Sequence, residues 1–488
     1  MRPTRADPAR RRRASQGKGN PLLKRPNGLA IAVLAGVVAC LAWAAAAGAT
    51  ALPTVQGPAI SGAVDSNPFG PCLFLAQGFN CYGPDEISAA YDYPARSQLD
   101  GTGQTIVIVD AYHHSLALRN LRSFDAAFGI PNPTTENFVA VDGPAVTTSG
   151  SGDVDGWGVE TALDVQWAHA MAPGARIVLV QAATDDDANI AAALAEYIPQ
   201  YPGAIISQSF GEPETQTGDA ISQYRDAYKA ATALGDTILA SAGDYGATWT
   251  PILGTTTPTY ASYPASDPLV TGVGGTQGLP WGNGLLVDGH YGGEQAWNEP
   301  LFDAATGGAP SALFSSPPWQ RSASAYKTRS VPDVSYNAAI NGGVYVIHTA
   351  EAGGNAGHTF IYLVGGTSAG SPQWAAIFAL ANEARGLRGE RPIGWANASL
   401  AKIGAQNKSQ GAFHDITTGD DALDSPSGFA AGPGFDLATG WGTPDVSNLI
   451  AALVNAPAAS SPDAGAPAHL ASGATTGQLR PHTMVPGG

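Results

Sequence analysis

Residues 159–180 read VETALDVQWAHAMAPGARIVLV. Val159–Met171 is helix-length, with apolar Val159, Leu163 and Trp167 among its residues, and Arg176–Val180 is a short apolar run of the kind a buried strand needs. Further strand-like runs occur at Thr105–Val109 (TIVIV), Ala204–Ser207 (AIIS), Thr237–Ala240 (TILA), Leu269–Val273 (LVTGV) and Val344–Ile347 (VYVI). Helix-length segments at Asp187–Ile198 and Ala220–Leu234 separate several of them. Strands alternating with helices predict an α/β fold: a mostly parallel sheet with helices on both faces.

The chain has 488 residues, 13% of them charged, enough for one large α/β domain plus tails. Its formal net charge is −16, unevenly spread. The first 28 residues hold nine of the 24 basic residues and one of the 40 acids, leaving 15 bases against 39 acids in the rest. So acidic a body repels phosphate backbones, so no nucleic-acid partner is expected. It suits work at low pH, and equally well the solubility of a secreted protein.

Arg10 to Arg13 precede an uncharged run, Leu29–Ala49, which reads as an export signal. Ala49-Thr50-Ala51 offers a small-x-small cleavage pattern, while 21 apolar residues could also stay as an anchor, the basic flank remaining inside. Both outcomes place the body outside the cytoplasm, with membrane contact only if residues 29–49 remain. Cys40 lies in this run, where lipid attachment is a further option, and Cys72 and Cys81 are left to form one disulfide. The expected organisation is a signal peptide or signal anchor (1–51), a short Gly/Pro-rich lead-in (52–81), one large α/β domain (82–455) and a disordered Ala/Pro/Gly/Ser/Thr-rich tail (456–488).

Four places carry chemistry. Gly365-Gly366-Thr367-Ser368-Ala369-Gly370-Ser371-Pro372 brings small residues into a serine at the front of an apolar helix. Free N–H groups and the positive helix end beside that hydroxyl suit a nucleophile with a built-in oxyanion donor. Glu160 and Asp164 are i and i+4 on one helix face, so the two carboxyls can share a proton and serve as base at low pH. His169 falls on the opposite side of that helix and reads as structural. His113 and His114, just beyond Asp110, read as surface-loop residues, and the histidine helix of a neutral subtilisin-type triad is absent. Asp244, in Ser241-Ala242-Gly243-Asp244-Tyr245-Gly246 after a strand, could donate a hydrogen bond when protonated. Asp415-Ile416 and Gly432-Pro433-Gly434-Phe435-Asp436 together supply oxygen ligands of the kind calcium takes.

Together these four segments resemble the sedolisin, or serine-carboxyl peptidase, family of subtilisin relatives. The stretches Tyr82–Tyr93, Tyr263–Thr276 and Arg329–Ala338 are similar too, so the resemblance covers about residues 82–455. It implies a subtilisin-like fold and a monomeric, secreted, acid-active peptidase of proteins or peptides. Ser368 would be the nucleophile, Glu160 the base, Asp164 its partner and Asp244 the oxyanion donor. One calcium ion would be held by the Asp415 and Asp436 side chains and the Ile416, Gly432 and Gly434 carbonyls. Gly365 stands where the family often has serine. The family's precursors also carry a long prodomain where this chain has about 30 residues after the signal, which leaves the manner of activation open. A catalytically silent secreted or envelope-bound binding protein on the same scaffold is the alternative, and the intact set of four residues speaks against it.

Overall fold

The computed structural model describes residues 78–457, apart from 148–155, 250–252, 254–257, 280–283, 352–354 and 424, together with 52–53, 59–61 and Cys72. The expected signal or anchor with Cys40, most of the lead-in and the tail beyond residue 457 lie outside the described residues.

Eight strands form the central sheet: β1 (Thr105–Ala111), β2 (Phe138–Asp142), β3 (Arg176–Ala182), β4 (Ile205–Gln208), β5 (Thr237–Ser241), β6 (Thr271–Gly278), β7 (Glu294–Ala296) and β8 (Val334–Asn337). The order is β7-β6-β5-β4-β1-β3-β2, with β8 also on β6, and every pairing except β6–β7 is parallel. Period-two alternation sends the two halves of each apolar run into different cores. Ile106, Ile108, Ile177 and Leu179 enter one core, and Val107, Val109, Val178 and Val180 the other. The first is closed by α1 (Ala117–Phe128), α2 (Trp157–Met171), α5 (Gly370–Gly386) and α6 (Val446–Val454), through Phe124, Trp167, Trp374 and Leu449. The second is closed by α3 (Asp187–Tyr197) and α4 (Ala220–Leu234), through Ile190, Leu194, Tyr224 and Tyr228. This is the doubly covered, mostly parallel sheet the alternation predicted.

Two of the expected strands fall differently. The LVTGV run becomes a strand only from Thr271, and β6 continues to Gly278 through glycines. Those glycines let the chain after β7 and the β8 segment close in: a Cβ at Gly274 would lie 2.6 Å from Pro332, and one at Gly275 2.8 Å from Ala338 and 2.9 Å from Trp297. Val344–Ile347 is a strand, β9 (Gly343–Thr349), but outside the central sheet, pairing antiparallel with β10 (Thr359–Val364). It is held against α2: Gln166 donates to the Ile347 carbonyl at 2.7 Å and accepts from its N–H at 3.0 Å, and the Trp167 indole donates to the Tyr345 carbonyl at 2.8 Å. The Cys72–Cys81 disulfide is present, with Cα atoms 5.5 Å apart. Among the described residues no helix is long and apolar enough to cross a membrane.

Candidate active site

Gly366 has φ +120°, a conformation that only glycine adopts without strain, and it turns the chain from β10 into a 3₁₀ turn, Thr367–Ala369, in front of α5. At Gly365 a side chain would place its Cβ 2.6 Å from the backbone nitrogen of Ile340, so the serine common at this position in the resembling family would not fit the backbone here. Ser368 sits in that turn, fully buried, and not in the α-helix proper. Its hydroxyl donates to the Ser209 carbonyl at 3.2 Å. One turn on, the Ser371 and Ser207 hydroxyls, 2.8 Å apart, bind the start of α5 to β4.

Every residue of α2 except Val159 is buried, as a helix wedged between a sheet and other helices requires. Glu160 and Asp164 therefore do not form a solvated face; both carboxyls are fully enclosed. Burial, then the Asp164 charge, with Asp110 and Asp244 adding, hold the Glu160 carboxyl well above the usual range. Interaction with the Ser368 hydroxyl pulls it back, although neither Glu160 oxygen closes a hydrogen bond of full geometric quality. Such contacts commonly tighten only when substrate arrives. Asp164 is raised likewise, by burial and then Asp110, and the Ser209 side chain opposes the shift.

Asp110 is the member of the set that sequence reasoning passed over. In the sequence it marks only the strand end before His113 and His114, yet it is fully buried at the carboxyl end of β1, among the same carboxyls. Burial pushes it up to about 7, opposed by the nearby Thr161 hydroxyl, although neither carboxyl oxygen closes a hydrogen bond of full geometric quality. Its place at the end of a central parallel strand was the available signal. The histidines take no part. His113 lies 2.8 Å from the Asp142 carboxylate. His114 is buried, contrary to its reading as a surface-loop residue, because its ring bonds the Ala111 carbonyl at 3.0 Å. His169 is buried 3.0 Å from the Pro131 carbonyl and is structural, as its helix position suggested.

Asp244 follows β5, at the carboxyl end of the sheet, and is fully buried. Oδ1 accepts from the Thr367 N–H and hydroxyl, both at 2.8 Å, which ties Asp244 to the residue before Ser368. Among the described residues Oδ2 meets no hydrogen-bond partner. Burial raises this carboxyl to about 7 despite the Thr367 bonds. The arrangement places a serine hydroxyl among enclosed carboxyls, one of which, Asp244, stays protonated in acid, and such a set could supply a nucleophile, a base and an oxyanion donor.

The structure also brings the two acidic turns together. The Gly434 N–H donates to both Asp415 oxygens, at 2.9 and 3.0 Å, and Asp436 accepts from the N–H groups of Gly432, Ala438 and Thr439. Among the described residues no group of three or more His, Cys, Asp or Glu side chains could hold a metal. The donor set here is two carboxylates plus carbonyls, all hard oxygens of the type calcium takes, and the Asp436 oxygens also accept from the Thr439 hydroxyl, so an ion would share them with these donors.

Raised carboxyls make stability pH-dependent. Asp110, Asp236 and Asp244 are each held up to about 7 and Asp125 to about 8, in every case by burial, against about 3.9 in an unfolded chain. The folded state then binds more protons than the unfolded state between about pH 4 and 8. The contribution is complete below the unfolded value and is lost as pH rises through the folded one, at about 1.4 kcal/mol per pH unit for each independent group. Urea melts of an inactive variant are expected to move to lower midpoints from pH 4.5 to 7.5. Midpoints that rise over that interval would contradict the burial argument.

The fold defines a subtilisin-like α/β protein, with a buried serine set among buried carboxyls. The family model described as Subtilase family matches residues 148–426, more than half of the chain, and the chain belongs to that family. Its relatives lie in the sedolisin branch. The chain is 33% identical to kumamolisin from Bacillus sp. (strain MN-32) over 76% of its own length and 64% of that protein's. It is 29% identical to sedolisin from Pseudomonas sp. (strain 101) over 77% of its length and 61% of that protein's. It therefore spans just under two thirds of these relatives. The solved structure of Pseudomonas sedolisin, a serine-carboxyl proteinase with two bound molecules of pseudo-iodotyrostatin, superposes with a TM-score of 0.64 at 26% identity, covering 76% of this chain and 98% of that one.

Proposed function

We propose that the protein is a secreted, acid-active serine-carboxyl peptidase that hydrolyses protein or peptide substrates through an acyl-enzyme on Ser368. The observation that carries this reading is the contact between the Ser368 hydroxyl and the buried Glu160 carboxyl, on which Asp164, Asp110 and Asp244 act and no histidine does. Glu160 takes the Ser368 proton as the oxygen attacks the peptide carbonyl, and Asp164 and Asp110 spread the resulting charge and proton. Protonated Asp244 donates from Oδ2 to the oxyanion, with the Ser368 N–H as second donor. The Glu160 proton then passes to the leaving amine, and water hydrolyses the ester by the same steps in reverse.

The charge states bound the pH range. The base must be ionised, and its raised pKa puts the acid limb above the ordinary glutamate value of about 4.3. Asp244 must be protonated, so the alkaline limb falls near its value of about 7. On an unstructured protein substrate the rate is expected to peak below neutral and to drop to roughly a tenth at pH 8, one unit above that pKa. A maximum at pH 8 or above would rule the carboxyl mechanism out.

Calcium belongs to the same reading. Asp415, Asp436 and the Ile416, Gly432 and Gly434 carbonyls would hold the ion, which would supply only a rigid tie between two loops. Binding to the folded state raises Tm by mass action, by a few degrees at a hundredfold excess over Kd. Equal Tm values in chelator and in millimolar-range calcium would remove the ion from the account.

A further inference from the structure

The short strand Phe210–Pro213 continues from Ser209, the residue whose carbonyl receives the Ser368 hydroxyl, and so leads away from the nucleophile. On one side it pairs with Ser262–Tyr263. On the other it pairs antiparallel with the chain's own Leu52–Pro53, Leu52 opposite Gly211 and Pro53 opposite Phe210, so this edge accepts an extended peptide backbone. A substrate in that register lays one residue against Ser209, with its carbonyl toward Ser368, and the third residue before it against Glu212. Residues directly opposite in an antiparallel pair share a face, so the side chain at that position lies beside Glu212.

Glu212 does not stand alone there. Its carboxyl is within hydrogen-bonding reach of Asp187, the first residue of α3, and the two are 3% and 5% exposed. The Tyr224 hydroxyl donates to Asp187 Oδ1 at 3.0 Å. Asp187 Oδ2 and Glu212 Oε1 are buried without a well-formed hydrogen bond. The groups acting on the pair are Asp185, Asp186, Thr217 and Tyr224, none of them basic. Two enclosed carboxyls with unused acceptor oxygens, and no cation among the described residues that act on them, are an incomplete charge arrangement, which a proton fills only in part.

Taking the peptidase reading as its basis, we propose that Asp187 and Glu212 form an acidic subsite that takes a lysine or arginine side chain four residues before the scissile bond. Without substrate, burial and mutual proximity hold Asp187 up to about 6 and Glu212 to about 9, so the pair retains protons across the acid range. The incoming cation replaces a proton, and the preference strengthens from pH 4 to pH 6 as that proton becomes easier to lose.

Two measurements on the full chain test this. In the first, the Ser368→Ala variant is titrated with two labelled peptides that differ only in arginine or norleucine at the fourth residue before the cleavage point. Fluorescence anisotropy is expected to show at least tenfold tighter binding of the arginine peptide at pH 6, a smaller gap at pH 4, and no gap once Glu212→Gln is added. Equal affinities of the parent for the two peptides overturn the proposal, with no need for the second variant to fold. In the second, the active chain digests a peptide library and the cleavage sites are read by mass spectrometry. Lysine and arginine enriched at that position support the subsite. Cleavage without the enrichment overturns it and leaves the peptidase reading standing. No cleavage at all overturns the peptidase reading, and the binding comparison still decides whether the acidic site exists.

Discussion

Ser368→Ala is expected to lower kcat/KM on an unstructured protein substrate by about 10⁴ or more while leaving the fold intact, because removing the nucleophile of a serine hydrolase leaves only what substrate binding and the oxyanion donors supply. The side chain is small and enclosed, and its hydroxyl makes one backbone contact, to the Ser209 carbonyl at 3.2 Å. Loss of that bond costs about 1 kcal/mol of stability, too little to unfold a domain of this size. Circular dichroism and Tm of the variant should therefore match the parent within a few degrees. Activity within tenfold of the parent would show that Ser368 only fronts a helix and that the reaction, if present, runs elsewhere.

The second large effect concerns Asp244. Truncation to alanine removes an oxyanion donor and should cost about 10²–10³ in kcat. The informative change is Asp244→Asn, which keeps a neutral N–H donor at every pH. The parent loses its donor as Asp244 ionises near 7, so its alkaline limb falls there. In the asparagine variant that ionisation is absent, so kcat/KM should hold further into the neutral range at a lower maximum. The lower maximum follows because an amide N–H is a weaker donor to the developing oxyanion than a carboxyl O–H, while the amide oxygen still accepts the Thr367 N–H and hydroxyl that meet Oδ1 at 2.8 Å. Profiles of kcat/KM against pH for the two forms, with the Ser368→Ala variant as blank, decide the matter. An alkaline limb that does not move would make Asp244 a turn residue.

Much of this was legible in the chain because it is local. A helix-length segment followed by a buried strand run is written into residues 159–180, and repeating it predicts a parallel sheet with helices on both faces, which is what forms. Glu160 and Asp164 are four apart, so any helix there sets them on one face before any tertiary contact exists. The two glycines before Ser368 likewise announce a tight turn, and Gly366 takes φ +120°.

What the chain alone left open depends on residues far apart in sequence. That Glu160 and Asp164 are wholly enclosed, where a like-charged pair on a helix reads as readily as a solvated face, follows from packing α2 between the sheet, α5 and β9. Asp110 joins them only because β1 is an interior strand of the parallel sheet, between β4 and β3, and packs against α2. His114, polar and next to a loop, is buried because the chain folds back on Ala111. The strand through Gly274 and Gly275 was masked by glycines whose purpose, close approach of Pro332, Ala338 and Trp297, appears only once those residues are in place. Periodicity and turn chemistry act over a few residues and can be read from them. Burial, which sets the charge of every carboxyl in the site, is a property of the assembled core, and only the tertiary structure determined it.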